Sequence, residues 1–219
     1  MKSTQSIATA LFIGLVSVGI ATGQESTVER QGRYTIEKVQ ATYQVNPGGT
    51  LYLSASAGAI IVESTDKNEV HVLAEKRVDE DREDRARELL DEIEVEMTQS
   101  GDDVRVEARI YRSRRNRRVP LRFRVSVPRR YNIDLDTEGG EIEIADLDGN
   151  VMARTSGGGI EVGRITGQVE VRTAGGSIEI EEGGSRVIAK TAGGGIKIRR
   201  SAGSVEANTA GGSIELGPS

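Results

Sequence analysis

The chain has 219 residues, enough for one or two domains, and carries a net charge of −5 with only 3% aromatic residues. So few aromatic side chains argue against a large globular core and favour a stack of small repeated units. The absence of cysteine excludes disulfides, thiolate metal sites, a cysteine nucleophile and a lipid anchor on an N-terminal cysteine.

The N-terminal segment 1–23 has the pattern of a signal peptide. Lys2 precedes an apolar run over 7–20, and the small residues 21–23 resemble a cleavage site. We therefore predict a signal peptide over 1–23, export to the periplasm or cell surface, and a mature chain that begins near Gln24. The alternative is an uncleaved N-terminal anchor. No later segment is apolar enough to cross a membrane.

Residues 24–33 are polar and predict a loose segment, whereas residues 34–136 predict an irregular β region. Apolar residues alternate along 34–53, and residues 54–73 resemble a degenerate copy of the C-terminal repeat. Further strands are expected at 93–98, 103–110, 121–128 and 131–135.

The only histidine of the sequence, His71, lies between Val70 and Val72. Alternation places its side chain on the exposed face of a strand. We interpret it as a surface residue, the alternative being a metal ligand or catalytic base.

One amphipathic helix is predicted over 79–92, where Asp79 or Asp81 can cap its N-terminus. The apolar residues that recur at helical spacing are Ala86, Leu89, Leu90 and Ile93. Their narrow stripe would cover one end or one face of the sheet, which protects an open edge from pairing with another chain.

The segment 111–120 is unusually basic, and residues 101–131 together hold 11 arginines and three acidic residues. It joins two alternating stretches, so we predict an arginine-rich hairpin loop. Guanidinium groups bind phosphate and carboxylate in a bidentate manner, so an acidic glycan, a lipid or a protein of the cell envelope is the expected partner. The alternative is a solvated loop, and nucleic acid is not expected because interleaved aromatic residues are missing. The candidate binding residues are Arg112, Arg114, Arg115, Arg117 and Arg118.

The last third of the chain repeats with a fixed period, in five copies that read TEGGEIEI, TSGGGIEV, TAGGSIEI, TAGGGIKI and TAGGSIEL. Apolar residues two apart predict short strands with one buried face, and the paired glycines predict sharp corners. One unit is too small to bury its own apolar face, so it must stack on its neighbours. The structural residues of the repeat are Thr137, Thr155, Thr173, Thr191, Thr209, Gly157, Gly158, Gly175, Gly176, Gly193, Gly194, Gly211 and Gly212.

These patterns predict an all-β fold, a single-stranded β-solenoid with regular 18-residue coils over 137–219. The inward positions are aliphatic, and the outward positions form charged columns. We interpret the columns as solvated faces, with a ligand-facing stripe as the alternative. One column is Glu143, Glu161, Glu179, Lys197 and Glu215, and the other is Arg154, Arg172 and Lys190.

No cofactor, metal or catalytic residue is predicted. Calcium-binding β-rolls need an aspartate in each G-G-x-G-x-D motif, whereas isoleucine follows G-G-x in every copy here. The sequence has no nucleophile elbow, zinc-protease motif or P-loop, so we predict a non-enzymatic protein. A carbohydrate-active enzyme is the remaining alternative, because a solenoid can place two carboxylates at glycosidase spacing.

The last repeat stops after 214–216, which is half a coil, and is followed by 217–219. This leaves a sheet edge with little cover, and such an edge can pair with a second copy. We therefore expect a homodimer through the C-terminal edge.

The apolar N-terminus, the strand-rich start and the repeated T-[AS]-G-G-[GS]-I-x-[IVL] phrase resemble the bacterial putative adhesin family. The resemblance covers roughly 35–217 and is strongest over 137–216, whereas the helix and the arginine loop lie outside the shared phrase. It implies an exported, Gly-rich β-repeat domain of the cell envelope with a binding or structural role. Some similar domains are attached to envelope-stress regulators. An envelope-stress or scaffold protein that acts through homotypic sheet-edge pairing is therefore the alternative.

Overall fold

The computed structural model describes residues 23–111 and 120–218. The predicted signal peptide, apart from Gly23, and residues 112–119 of the arginine-rich segment lie outside these ranges. Within them, the chain forms 18 β-strands and one short helix. The prediction of an all-β chain is confirmed.

The N-terminal half supplies nine strands and the helix α1 (Glu83–Leu90). The strands are β1 (Glu25–Gln31), β2 (Tyr34–Gln44), β3 (Thr50–Ala55), β4 (Ala59–Thr65), β5 (Glu69–Asp79), β6 (Ile93–Ser100), β7 (Asp103–Ile110), β8 (Leu121–Pro128) and β9 (Asn132–Thr137).

The repeated region supplies nine further strands, each three to six residues long. They are β10 (Ile142–Ile144), β11 (Val151–Thr155), β12 (Ile160–Ile165), β13 (Gln168–Thr173), β14 (Ile178–Gly183), β15 (Arg186–Thr191), β16 (Ile196–Ser201), β17 (Ser204–Thr209) and β18 (Ile214–Leu216).

The strands form two sheets, and the chain passes from one to the other at almost every turn of the repeat. Sheet A has ten strands in the order β1-β2-β5-β8-β4-β10-β12-β14-β16-β18. Sheet B has eight strands in the order β17-β15-β13-β11-β9-β3-β7-β6. Consecutive repeat strands therefore never pair with each other, and each pairs with the strand one repeat away.

The pairing register follows the sequence period. Val151 pairs with Val169, and Val169 with Val187, in parallel ladders that join equivalent residues of successive repeats. Ile142 pairs in the same way with Ile160 in sheet A. A constant register keeps every inward position above its equivalent in the next unit, so the aliphatic columns stay continuous.

The degenerate unit at 54–73 joins the same stack. Leu51 in β3 pairs with Ile133 in β9, and Ile60 in β4 pairs with Ile142 in β10. Residues 66–131 then interrupt the stack. Their strands extend both sheets beyond β3 and β4, with β7 and β6 in sheet B and β8 and β5 in sheet A, where β2 and β1 follow from the N-terminal segment.

Two N-terminal predictions are corrected. The segment 24–33, predicted to be loose, contains β1, which forms an antiparallel hairpin with β2. The backbone of Gly32, with φ of 63°, forms the tight turn between them. Because the residues of β1 are exposed on both faces, the strand has no apolar alternation that could reveal it.

The strands on either side of the arginine-rich segment are not a hairpin. β7 lies in sheet B and β8 in sheet A, so the segment between them connects the two sheets. The alternation of both strands was correct, but their pairing partners are β3 and β4, which the local sequence does not reveal.

The helix is shorter than the predicted 79–92. It begins after Arg82, whose side chain makes no capping hydrogen bond, so neither Asp79 nor Asp81 is the cap. Ala86 and Leu90 are buried against Val78 of β5, separate from the main core.

The core lies between the two sheets. In the repeated part it consists of isoleucine, valine and alanine columns, whereas the large buried residues Phe123 and Tyr131 lie in the N-terminal half. Thin aliphatic columns hold the sheets close together, and the aromatic residues fill the wider part made by the insertion.

The Thr-Gly-Gly corners join successive units through their backbones. The Thr173 hydroxyl donates to the Gly158 carbonyl at 2.8 Å and accepts from the Gly176 N–H at 3.2 Å. Equivalent donor bonds at the other corners run from Thr137 to Gly58, Thr155 to Gly140, Thr191 to Gly176 and Thr209 to Gly194. Each threonine hydroxyl thus satisfies one group in its own unit and one in the preceding unit.

The second glycine of each pair is required by close approach between units. A Cβ on Gly158 would overlap the carbonyl of Gly140, whereas a Cβ on Gly157 would lie 3.7 Å from the Gly139 Cα, an ordinary contact. Neither residue has a positive φ. The distinction is therefore steric.

We expect Gly158→Ala to lower the free energy of unfolding by about 3 kcal/mol or more, because the clash is with backbone that cannot rotate away. Gly157→Ala is the matched control and should change it by less than about 1 kcal/mol. Urea unfolding measures both. If both variants lost the same free energy of unfolding, the glycines would be needed for backbone flexibility at the corner and not for close packing between units.

Two buried tyrosines in the N-terminal half differ in their hydrogen bonding. The Tyr131 hydroxyl donates to the Asp102 carbonyl, whereas the Tyr43 hydroxyl has no partner within the described part of the chain. Burial raises the pKa of both phenols, and for Tyr131 the nearby Asp103 and Asp102 raise it further.

At neutral pH, Tyr131→Phe should lower the free energy of unfolding by about 1 kcal/mol, and Tyr43→Phe should leave it unchanged or raise it. A phenol whose pKa in the folded chain lies above its unfolded value of about 10 stabilises the fold only while it is protonated. That stability is lost as pH rises. Each variant should therefore lose less stability than the parent chain between about pH 9 and about pH 11, by urea unfolding. Parallel pH curves for all three proteins would contradict this.

Candidate anion-binding surface

Described arginines lie on both sides of the arginine-rich segment, Arg109 on β7 in an ion pair with Glu107, and Arg122 and Arg124 on β8. The five predicted binding residues, Arg112, Arg114, Arg115, Arg117 and Arg118, fall within 112–119, outside the described residues. The segment rejoins the described chain at Pro120, immediately before β8.

Alternation on β8 directs two arginines outward. Leu121, Phe123 and Val125 are buried in the core, so Arg122 and Arg124 between them are exposed on the outer face of sheet A. Their positions follow from the strand period alone.

A third arginine joins them from β5. Arg77 donates its backbone N–H to the Pro120 carbonyl at 3.1 Å, which ties the start of β8 to β5. Its guanidinium carbon lies 3.6 Å from the centre of the Tyr34 ring, a cation–π contact that holds the side chain in place. We call Arg77, Arg122 and Arg124 the arginine surface.

Carboxylates lie near the arginine surface, but in the described part of the chain none is within ion-pair distance of it. Among the described residues, none of its three guanidinium groups has an ion-pair partner. Glu75 pairs with Arg122 in the β-ladder, but no ion pair forms between their side chains.

The basic column predicted on the repeats behaves differently. On the outer face of sheet B, Arg172 pairs with Glu170 at 2.9 Å and Lys190 with Glu206 at 2.5 Å, while Arg154 lies 4.0 Å from Glu170. Glutamates from neighbouring positions thus offset the stacked cations, which supports the solvated-face interpretation of this column.

The acidic column lies on sheet A beside the arginine surface. Arg124 pairs in the ladder with Ile61, Ile61 with Glu143, and Glu143 with Glu161. Arg124 and Glu143 are thus two strand spacings apart, about 10 Å between their backbones. No ion pair joins their side chains. One face of sheet A therefore has a basic part and an acidic part.

A shallow groove of about 410 Å³ follows the acidic column, with Glu143, Glu161 and Glu179 along it. Arg199 donates to Glu179 at 2.7 Å, and this hydrogen bond raises the pKa of Arg199. At another outer corner, the backbone N–H and side chain of Arg164 lower the pKa of Asp146. These contacts are surface ion pairs.

His71 lies on β5, where its ladder partner is Ser126 of β8. His71 is half-buried, with its Nδ1 3.0 Å from the Thr42 hydroxyl. Within 23–111 and 120–218, no group of three or more histidine, aspartate or glutamate side chains is placed to hold a metal ion. No helix in those ranges is long and apolar enough to span a membrane.

Sequence reasoning identified the arginine-rich segment but not the surface beside it. The alternation over 121–125 is a signal that could have shown Arg122 and Arg124 to be exposed. No local signal could have brought Arg77 and Tyr34 there, because both are distant in sequence and arrive through sheet pairing.

Comparisons with known proteins give only distant likenesses. No family model matches the chain, and none of the curated proteins matches it. Among solved structures, it is similar to a putative cell adhesion protein from Clostridium sporogenes, with 8% identity, 81% of this chain and 97% of that chain covered, and a TM-score of 0.42. A putative adhesin from Bacteroides fragilis shows 14% identity, 82% and 96% coverage, and a TM-score of 0.35. A putative lipid-binding protein from Parabacteroides distasonis shows 8% identity, 83% and 95% coverage, and a TM-score of 0.27. Scores and identities this low support neither a fold nor a function for this chain.

The arginine surface should be dispensable for folding. We expect Arg122→Ser combined with Arg124→Ser to change the free energy of unfolding by less than about 0.5 kcal/mol, because both side chains are exposed and unpaired. Phe123→Ala, between them on β8, should cost about 3–5 kcal/mol because it empties a fully buried site. Urea unfolding distinguishes the two. A large loss in the arginine variant would assign those residues a structural role.

Proposed function

We propose that this protein is an exported, non-enzymatic β-solenoid domain of the bacterial cell envelope that binds anionic envelope components through its arginine surface. The observation that carries the proposal is a set of three exposed guanidinium groups without acidic partners among the described residues, held on a rigid sheet. Such groups bind phosphate and carboxylate oxygens in a bidentate manner.

The solenoid interpretation is supported by the ladders, in which parallel partners are equivalent residues of successive repeats and successive strands alternate between two sheets. Export is supported by the signal-peptide pattern of residues 1–23. The adhesin-like role is supported by the repeated Thr-Gly-Gly phrase. The absence of a catalytic motif in the sequence supports a binding role over an enzymatic one.

The geometry favours an extended anionic surface as the partner. The arginines of the arginine surface lie on a strand face rather than in a deep pocket. Five further arginines precede β8 in the sequence, within 112–118. Phosphate groups of lipids and carboxylates of acidic glycans share the chemistry that such a face recognises. Attraction of this kind weakens as salt screens the charges.

The test is binding of the mature chain, from Gln24 onward, to vesicles that contain phosphatidylglycerol and, separately, to a polyuronate. Arg122→Ser combined with Arg124→Ser should weaken binding roughly tenfold to thirtyfold, as expected for the loss of about 1 kcal/mol per arginine. Serine at the five arginines of 112–118 should weaken it further. Raising the salt concentration should weaken binding of the parent chain.

The matched control is Arg154→Ser combined with Arg172→Ser, which removes the same charge from the neutralised face of sheet B. It should retain affinity within about threefold. An equal loss of affinity in both double variants would mean that binding depends on the net charge of the protein and not on the position of the arginines. The absence of binding to either anionic material at low salt would refute the proposal. Preference for vesicles or polyuronate identifies which source of anions the surface takes.

A second candidate role is that of a scaffold protein acting through homotypic sheet-edge pairing. It is favoured by a specific feature of the last repeat, the exposure of Ile214 and Leu216 at the end of the stack.

A further inference from the structure

The outer face of sheet A carries unpaired charges of both signs side by side. One row of ladder partners crosses five neighbouring strands, from β5 to β12, in the order Leu73, Arg124, Ile61, Glu143 and Glu161. Arg124, Glu143 and Glu161 are exposed, and none of the three has an ion-pair partner among the described residues. The half-buried Ile61 of β4 therefore lies between a basic side and an acidic side of this row.

The neighbouring row has the same order of charges. Arg122 of β8 pairs in the ladder with Ala59 of β4. The Ile60 N–H donates to the Glu141 carbonyl at 2.9 Å, which places Glu141, directly before β10, next to Ala59. Glu141 is exposed, and no ion pair involves it in the described part of the chain. In both rows, an arginine lies one strand before β4 and a glutamate lies one strand after it.

The acidic side of this face is recessed. The groove that follows Glu143 and Glu161 is also lined by Ala145 and Gly163, which are the next outward positions after the two glutamates. Because these two residues have small side chains or none, the groove has a volume of about 410 Å³ that side chains of a facing surface can enter. The acidic side thus offers both charge and space to cationic side chains.

We propose that two copies of this chain associate face to face through the outer faces of sheet A, with the arginines of each copy against the glutamates of the other. A two-fold axis that runs along β4, between the copies, exchanges the strands on either side of β4 and keeps every residue row in register. Arg124 of one copy then lies opposite Glu143 of the second copy, and Arg122 lies opposite Glu141. Ile61 meets Ile61 at the axis. Because both copies use the same surface, the assembly closes as a dimer.

Charge complementarity selects a second copy as the occupant of this face. A partner must present an acidic, an apolar and a basic strip in the reverse order, and a second copy does so by symmetry. Face-to-face sheets lie about 10 Å apart, a distance that an arginine and a glutamate side chain span together in a bidentate contact. Five strands and three residue rows on each copy bury roughly 1,000 Å² in total, the lower limit for a specific interface. The dimer is therefore weak, and salt weakens it further.

One like-charge contact opposes this dimer. Glu63 follows Ile61 by two residues on β4, is exposed, and faces the same way as Ile61. The axis along β4 therefore brings the Glu63 side chains of the two copies together, and like charges opposite each other are destabilising. Because Glu63→Gln removes the repulsion, this variant should have a dissociation constant at least about threefold lower than that of the parent chain. A weaker dimer in this variant would overturn the proposed axis.

The dimer also regulates the arginine surface. Arg122 and Arg124 are covered when two copies associate, so a second copy and an anionic surface compete for the same guanidinium groups. By mass action, the apparent affinity for anionic vesicles should fall as the protein concentration rises above the dissociation constant of the dimer. This consequence rests on the proposed function, whereas the dimer does not.

The experiment is to measure the molar mass of the mature chain, from Gln24 onward, by sedimentation equilibrium at about 1–300 µM protein and about 50 mM salt, without any anionic ligand. The mass of the parent chain should rise from one copy toward two, and it should return to one copy at about 500 mM salt. Arg124→Glu and Glu143→Arg should each remain at one copy, because each places like charges opposite one another. Both changes in the same chain restore opposite charges across the axis, so the double variant should dimerise within about threefold of the parent dissociation constant.

Arg130→Glu is the matched control, since Arg130 is exposed, lies in the turn between β8 and β9, and makes the same change of charge outside the contact. It should dimerise like the parent. Because Arg124 and Glu143 are exposed, their variants should keep the β-sheet circular dichroism of the parent. Should one fail to fold, Glu63→Gln and the salt dependence of the parent still test the proposal.

A parent chain that stays at one copy at low salt, a single variant that dimerises, or a folded double variant that does not would each overturn the proposal. So would a mass that grows beyond two copies. Anion binding is measured separately, on the vesicles and the polyuronate. If the exchange of charges restores the dimer while neither material binds, the proposed function fails and the dimer stands.

Discussion

The fold depends on the close approach of backbones at the Thr-Gly-Gly corners. Each corner places a glycine of one unit against the carbonyl of the glycine one unit earlier, leaving no room for a side chain. The threonine hydroxyl beside it links the two units by one hydrogen bond in each direction. This double constraint fixes the spacing of the units, and the spacing in turn fixes the parallel register along both sheets.

A fixed register makes the outer faces predictable in position but not in electrostatic character. Stacking equivalent residues produces columns of like charge, which are unfavourable when they face one another directly. On sheet B, glutamates at neighbouring positions offset the cations, so Arg172 and Lys190 are paired. On sheet A, Ile61 lies between the arginine surface and the glutamate column, and Arg122 and Arg124 form no ion pair among the described residues. The two outer faces therefore differ in which arginines find an acidic partner within the described chain.

The two ends of the stack are physically different because the insertion at 66–131 lies at one of them. Its antiparallel strands and α1 close the sheets together and bring side chains such as Lys76 to the edge carbonyls. The repeats themselves contain no such device, since each unit is built to be covered by another of the same kind.

The sequence by itself determined the period, the alternation and the buried columns. These are local properties, because a two-residue strand period and an 18-residue repeat decide which side chains point inward. It also located the helix and most strands within a few residues. It could not reveal β1, whose side chains are exposed on both faces, nor that β7 and β8 belong to different sheets. Only the tertiary structure decided those pairings, and with them the meeting of Arg77, Arg122 and Arg124. Strand partners, free charges and open edges depend on contacts between residues far apart in the chain, which no local pattern encodes.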